Sequence, residues 1–230
     1  MPRVRPNAQY NVAGAGSAAV RVAVWQRRRM YGRFLQQAEV RDTDVILDIG
    51  ATSDRSYAAS NYLEAWYPHK DRVTALGIDD ASFLEREYPG VRFVRGNGMA
   101  LPFADRAFDV VHSSAVLEHL GAGHNQLRFL RECTRVARRA IFITTPNRWF
   151  PVEFHTVLPL IHWLPKRAFR WVMNRTGREF FGDERNLNLL AASELRRVVA
   201  RIDDFSFSLS SVALCGWPSN LLLTGRRMFA

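Results

Sequence analysis

The stretch Val45-Ile46-Leu47-Asp48-Ile49-Gly50-Ala51-Thr52-Ser53-Asp54 constrains the fold more than any other part of the chain. A short apolar run breaks into a glycine and then into small polar residues, and a helix is expected from Ser56 to Trp66, before Pro68. That pattern is how a buried parallel strand delivers its C-terminal end to a ligand, with helix N–H groups facing the gap. Three later stretches repeat the theme in order: Ala75-Leu76-Gly77-Ile78-Asp79-Asp80, Gly96-Asn97-Gly98-Met99-Ala100-Leu101-Pro102-Phe103, and Phe108-Asp109-Val110-Val111-His112-Ser113-Ser114.

Strands are expected at Val45–Ile49, Val73–Ile78, Val91–Val94, Phe108–His112 and Ala140–Thr144. Helices are expected between them at Ser82–Glu87 and at Asn125–Arg138, the latter with an apolar face of Leu127, Phe129, Leu130, Cys133 and Val136. Strand and helix alternating this often implies an α/β, Rossmann-like, mostly parallel sheet with helices on both faces. Val20, Val24, Met30, Phe34 and Leu35 mark an N-terminal helix that would lean on the sheet edge. A helix from Ala191 or Ala192 to Arg201 precedes a hairpin of Phe205–Leu214 and Leu221–Arg226, joined across Gly216–Asn220. Residues 147–190 break the rhythm with Trp, Phe, His and Pro and read as an inserted cap; residues 1–17, with Pro2, Pro6, Gly14 and Gly16, read as a mobile basic arm. The rest, 18–230, reads as a single domain.

The net charge of +10 is concentrated at one end: residues 1–41 hold eight arginines against Glu39 alone. Such an arm suits an acidic surface, a solvated helix face, or an organelle transit peptide. The run Val157–Leu164 is far short of the roughly 20 apolar residues a membrane span needs, so no transmembrane segment is expected. Cys133 and Cys215 are too far apart for a C-x-x-C site and are expected as small buried hydrophobes in a reduced, cytoplasmic chain.

Asp79, at the end of its strand, suits the two vicinal hydroxyls of a ribose, although a strand-terminal Asp also caps helices and Asp80 competes for that task. Gly96-Asn97-Gly98 lets backbone approach an aromatic ring, with Asn97 available to an exocyclic amine. Taken together, Ile46-Leu47-Asp48-Ile49-Gly50, Gly77-Ile78-Asp79, Asn97-Gly98-x-Ala100-Leu101-Pro102-Phe103, Phe108-Asp109-Val110-Val111 and Val116-Leu117-Glu118-His119 resemble the class I S-adenosylmethionine-dependent methyltransferases. The likeness is to the small-molecule branch of ubiquinone and menaquinone biosynthesis, and it spans about residues 44–145. It implies a seven-stranded sheet whose last strand is antiparallel. It also implies S-adenosylmethionine as cofactor, with Asp48 and Gly50 beside its methionine end, Asp79 on the ribose, Asn97 and Gly98 at the adenine, and Ser113 lining the methyl-transfer channel. The chain departs from the family pattern at Thr52 and Asp54, where glycines are usual, and at Asn97, where an Asp is usual.

Methyl transfer asks for alignment, exclusion of water and, for an alcohol or amine acceptor, a base with a pKa near neutrality. His119 and His155 are the candidates; each also reads as a structural, hydrogen-bonded histidine. Glu118 reads as structural. His112, His119 and His124 lack a Cys or carboxylate partner set, so no metal site is expected. Trp149, Phe150, Phe154, Trp163, Phe169, Trp171, Phe180 and Phe181 line an acceptor pocket or form the cap's own core. Pro165–Met173 reads as a basic amphipathic helix which, with the arm, would rest on an anionic membrane and reach a lipid-linked acceptor. The alternatives weigh less. G-x-G-x-x-G is absent after the first strand, which disfavours a nicotinamide oxidoreductase. The Asn/Asp-Pro-Pro-Tyr/Phe and Pro-Cys motifs of nucleic-acid methyltransferases are also absent. A non-catalytic binding protein would keep the fold.

Overall fold

The computed structural model describes residues 18–55, 59–153, 155–156 and 158–228. The expected arm over 1–17 and the cap residue Phe154 lie outside them. Seven strands form one sheet: β1 Ile46–Ile49, β2 Val73–Gly77, β3 Arg92–Arg95, β4 Phe108–Ser114, β5 Ala137–Pro146, β6 Phe205–Leu214 and β7 Trp217–Arg227. Their order is β3-β2-β1-β4-β5-β7-β6. The first five pair in parallel, and β7 inserts antiparallel between β5 and β6.

The two-residue period of the strands divides the core between two faces. Leu47, Ile49, Val111, Ile141, Ile143 and Leu223 face helix α4 (Gly123–Val136) and helix α7 (Ala192–Val199), meeting Phe129, Leu130, Cys133 and Leu195. Ile46, Val110, Ala140, Phe142 and Leu222 lie on the opposite face against helix α1 (Ala18–Gln37) and helix α2 (Tyr62–Trp66), with Leu84 of helix α3 (Phe83–Glu87) in the same cluster. Each side chain of this kind that is fully buried contributes about 1.5–3 kcal/mol.

Helix α1 does not lean on the sheet edge. Its buried line is Gln26, Met30 and Phe34, continued by Ala38 just past its end, and Phe34 sits 5.5 Å from the Phe142 ring and 4.8 Å from His112. The helix therefore crosses a face of the sheet, and Gln26 reaches the last hairpin through Ala213 O and Ser219 Oγ. Part of the basic segment is consumed in packing: Arg28 lies 3.8 Å over the Trp66 ring, and Arg29 bonds Ala213 O.

Three expectations need correcting. Among the described residues the first crossover helix is Tyr62–Trp66, because Asn61 is drawn out of helical geometry to brace the loop after β1; the expected start at Ser56 lies outside the described residues. The hairpin turns on Cys215 and Gly216 alone, with φ of +50° and +80°, and Trp217–Asn220 belongs to the strand. A two-residue turn with both φ positive matches the twist of the paired strands, and Pro218 is tolerated beside the register shift at Val212/Ala213. Cys215 is thereby exposed, whereas Cys133 is buried as expected. No helix among the described residues is long and apolar enough to cross a membrane.

Residues 147–190 leave the sheet at the end of β5 and return where Asn147 pairs with Leu190. Between these points helix α5 (Lys166–Arg175) and helix α6 (Glu179–Gly182) build a small core of Phe169, Met173, Phe181, Leu187 and Leu189. Phe169 and Met173 are the apolar face of α5, so that face is spent inside the cap and does not meet a membrane. Trp171, on the other side, is exposed.

Candidate active site

Parallel strands bring the C-terminal ends of β1 to β4 to one edge of the sheet. At the end of β1, Gly50 has φ +112°, and a Cβ there would lie 2.2 Å from Val116 Cγ2. A Cβ on Gly77 would lie 2.4 Å from Ala51 O. The loops after β1, β2 and β4 thus touch, and two glycines make this possible. Gly50 N–H and Ala51 N–H both donate to Leu76 O, at 2.8 and 3.0 Å. Thr52 and Asp54 are accommodated without positive φ: Thr52 Oγ1 accepts from Asp54 N–H, and Asn61 holds both the N–H and the C=O of Thr52. One glycine is sufficient for this turn, which accounts for Thr52 and Asp54 at positions where the resembled pattern carries glycines.

Beyond β2, Ile78 is 66% exposed, a large apolar side chain held in the open beside the partly exposed Asp79. After β3, Asn97 Oδ1 accepts from Met99 N–H at 2.9 Å, closing the turn, so the Asn97 oxygen already has one partner. Gly98 answers to protein packing: a Cβ would meet Phe129 Cε2 at 2.8 Å and Ile49 Cγ2 at 3.1 Å. Ser113 is corrected. It is wholly buried, and its hydroxyl donates to Ile49 O at 2.7 Å, clamping β4 to β1 instead of lining a channel.

Asp48 points to the α1/α2 face, where its Oδ1 accepts from His112 Nδ1 at 2.6 Å, and His112 Nε2 meets the Tyr62 hydroxyl at 2.8 Å. Glu64, also wholly buried, completes this group. Burial pushes the Asp48 carboxyl up to about 7 and drives His112 down to about 4. Burial, and then the charge of Asp48, raise Glu64 well above the usual carboxylate range. Asp48 thus sits beneath the loop, in a network that fixes the strand end from which Gly50 emerges.

A second cluster follows β4. Ala115 takes φ +56°, a conformation L side chains rarely adopt, and turns the chain into the short helix Leu117–His119. Glu118 is wholly buried; Oε2 accepts from Thr145 Oγ1 at 2.9 Å, and burial pushes the carboxyl up to about 7. His119 Nδ1 donates to Asn186 O at 2.6 Å, and burial, then His155, lower its pKa to about 3, so the ring is neutral. His155 comes from the cap, with its ring centroid 4.9 Å from that of His119. Burial alone would lower His155, but Glu153 Oε1, 2.7 Å from Nδ1, raises it. Glu153 is held at about 2 because hydrogen bonds and the charge of His155 outweigh its burial.

The structure therefore joins the two histidines that the sequence offered separately, and adds Glu118 and Glu153. Glu153 was legible as the acid two residues before His155; Thr145 and Asn186 carried no signal. His112 and His124 do not enter this cluster.

A nucleoside with an amino-acid tail fits the edge between these groups. Exposed Ile78 offers an apolar surface for a flat base, Asp79 an acid, and the buried Ser53 hydroxyl finds no partner among the described residues. An orphaned hydroxyl in the loop after β1 is what a ligand would satisfy.

Residues 47–143 match the methyltransferase domain family model. Over 81 residues the chain is 37% identical to a probable S-adenosylmethionine-dependent methyltransferase of Mycobacterium tuberculosis, covering 34% of this chain and 28% of that protein. Over 148 residues it is 31% identical to the ubiquinone/menaquinone biosynthesis C-methyltransferase of Xylella fastidiosa, covering 57% and 56%. The chain thus spans less than two thirds of these relatives. Among solved structures, magnesium protoporphyrin IX methyltransferase from Synechocystis with bound S-adenosylhomocysteine superposes with a TM-score of 0.58 at 12% identity, covering 95% of this chain and 91% of that one. A Pyrococcus horikoshii protein gives 0.59 at 14%, covering 95% of both. These likenesses establish the fold.

Proposed function

We propose that this chain is a class I S-adenosylmethionine-dependent methyltransferase that methylates an oxygen, nitrogen or carbon of a small-molecule or lipid-linked acceptor, a reading supported by the match of residues 47–143 to the methyltransferase domain family model. The observation that carries this is the edge where the Gly50–Ser53 loop, Ile78–Asp79 and Asn97 meet, with the Ser53 hydroxyl unsatisfied.

S-adenosylmethionine, when bound, supplies a methyl group activated on a sulfonium. Asp79 would accept from the ribose hydroxyls, and Ile78 would cover one face of the adenine. Asn97, through its remaining lone pair, and the backbone at Gly98 would meet the adenine edge. Gly50 would let the backbone approach the methionine end, with Asp48 supporting it from below. Holding both reactants in one geometry supplies most of the rate advantage in such a transfer. The neutral His119 ring, backed by Asn186 O, would take the acceptor's proton, and His155 paired with Glu153 would hold the cap over it.

Asp79→Ala is expected to weaken S-adenosylmethionine and S-adenosylhomocysteine alike, by about tenfold or more, since hydrogen bonds to a charged group are worth about 1.5–3 kcal/mol. Isothermal titration with both ligands checks this, and unchanged affinity would remove the ribose assignment. Transfer of a labelled methyl group into a cell extract then separates an enzyme from a non-catalytic binder.

A lipid-linked acceptor, reached in the cytoplasm at the membrane surface, is favoured by one surface feature. Trp149 and Trp217 are each nearly half exposed and flank Trp163, with ring centroids 6.2 and 6.1 Å from it; Leu160 and Leu164 are exposed nearby in sequence, and Arg148 stacks on Trp149. Tryptophan with arginine suits the interface of an anionic bilayer. Changing Trp149 and Trp217 together to serine is expected to abolish co-sedimentation with phosphatidylglycerol vesicles; undiminished sedimentation would reject this contact.

A further inference from the structure

Glu118 presents an anomaly. Its side chain is fully buried, and while Oε2 is satisfied by Thr145, Oε1 has no hydrogen-bond partner among the described residues. A buried carboxylate oxygen left unmatched costs about 1–3 kcal/mol or more. The nearest imidazole nitrogen, His119 Nε2, lies at 3.9 Å, too far for a hydrogen bond. One ligand atom from each of Glu118, His119 and His155 lies within 4.8 Å of the other two.

We propose that Glu118, His119 and His155 bind a single divalent transition-metal ion of the zinc class. Both rings are already anchored through Nδ1, His119 on Asn186 O at 2.6 Å and His155 on Glu153 Oε1 at 2.7 Å. That fixes the tautomer with the proton on Nδ1 and gives Nε2 the lone pair, which is how histidine ligands are held in metalloproteins. Two ligands about 2.1 Å from one ion stand about 3.4 Å apart at the tetrahedral angle. The Glu118–His119 separation of 3.9 Å therefore needs a contraction of about 0.5 Å, and the ligand atoms, all within 4.8 Å of one another, close by about 1.4 Å at most. Two imidazoles and one carboxylate select a borderline ion such as Zn²⁺ over Mg²⁺ or Ca²⁺, which prefer all-oxygen sets. Three protein ligands leave a position open, the mark of a site that also binds an exchangeable oxygen.

The donors come from two separate elements. Glu118 and His119 stand on the turn after β4, whereas His155 and its anchor Glu153 belong to the cap. The ion would pin the cap to the sheet edge. This assignment rests on the donor set and stands independently of methyl transfer. Where the reading above holds, the open position would receive an acceptor oxygen and polarise it, and His119 would then act as ligand in place of base.

The test uses the full chain, stripped with a chelator and titrated with Zn²⁺ by calorimetry, with Co²⁺ absorption as a second probe. One equivalent is expected to bind and to raise the melting temperature. Glu118→Gln, which retains the acceptor for Thr145, and His155→Ala are each expected to weaken Zn²⁺ by about tenfold or more, and Glu153→Gln by about 10–100-fold through its ring. His124→Ala, at an exposed histidine outside the cluster, is expected to change nothing. Melting curves of the stripped variants report whether each remains folded. Where a variant does not fold, the stoichiometry, melting shift and tetrahedral Co²⁺ bands of the unmodified chain decide. Absence of binding, or affinity unchanged in folded Glu118→Gln, would overturn the proposal without touching the cofactor titrations.

Discussion

Replacing Gly50 by alanine is expected to abolish S-adenosylmethionine binding and to lower the melting temperature by about 4–24 °C. Two costs combine. At φ +112° any L side chain is strained by about 1–3 kcal/mol. The added Cβ also falls 2.2 Å from Val116 Cγ2, and overpacking of this kind costs about 1–3 kcal/mol more. At roughly 2–4 °C per kcal/mol for a chain of this size, the sum gives that range. Relief would move the loop away from Val116 and break the paired donations from Gly50 and Ala51 to Leu76 O, so Ser53 would leave its place. Adding Val116→Ala separates the contributions: it removes the contact but not the backbone strain, so stability should recover in part and binding should not. Thermal melts and calorimetry on the single and double variants measure both, and full retention of cofactor affinity in Gly50→Ala would place the cofactor elsewhere.

Asp48→Asn is expected to stabilise the protein by about 1–3 kcal/mol at pH 8, and by nothing at pH 4. Burial holds the Asp48 carboxyl at about 7, above its ordinary 3.8. The native state therefore binds this proton more tightly than the unfolded chain, and native stability declines as pH rises from about 4 to about 7. Full ionisation there costs up to about 4 kcal/mol, at 1.36 kcal/mol per unit. Asparagine carries no such cost and still accepts from His112 Nδ1, although its amide donors enter a buried place and take back part of the gain. His112 works in the opposite sense. Its pKa is lowered to about 4, so stability falls as pH drops from about 6.5 to 4, and this acid limb should persist in the variant. Urea unfolding of both proteins at pH 4, 6 and 8 reads the difference; a gap that does not widen with pH would mean Asp48 is not ionised at a cost.

The parallel half of the sheet was readable because its strands alternate their faces and β1, β2 and β3 run into glycine, as Leu47–Ile49–Gly50 and Leu76–Gly77 do. The hairpin was placed correctly but its turn was not. Gly216, Pro218 and Asn220 spell a loop by composition, yet pairing with β5 and β6 overrides that local preference. Asp79 and Asn97 occupy the expected edge because a strand terminus fixes its own position. Ser113 was misread for a matter of parity: it shares a face with Val111, so it points into the core against Ile49. The cluster around Glu118 was invisible for a different reason. His155 reaches His119 only through the path of the cap, and no periodicity in residues 147–190 encodes that return.

The place of β7 has a consequence for how the chain acquires this structure. The last of this sheet's strands in sequence order is internal to it, bonded to β5 on one side and β6 on the other. Until residues through Arg227 have left the ribosome, β5 presents its Ala140–Pro146 flank as an open edge, a template for pairing with other chains. Helix α1, synthesised well before β7, waits as long, since Gln26 and Gln37 find Ser219 and Thr224 only when that strand arrives. Closing contacts across more than 180 positions makes assembly slow and late. A ribosome-bound or truncated chain lacking β7 should therefore be a client for chaperones, protected at β1 to β4 and vulnerable along β5.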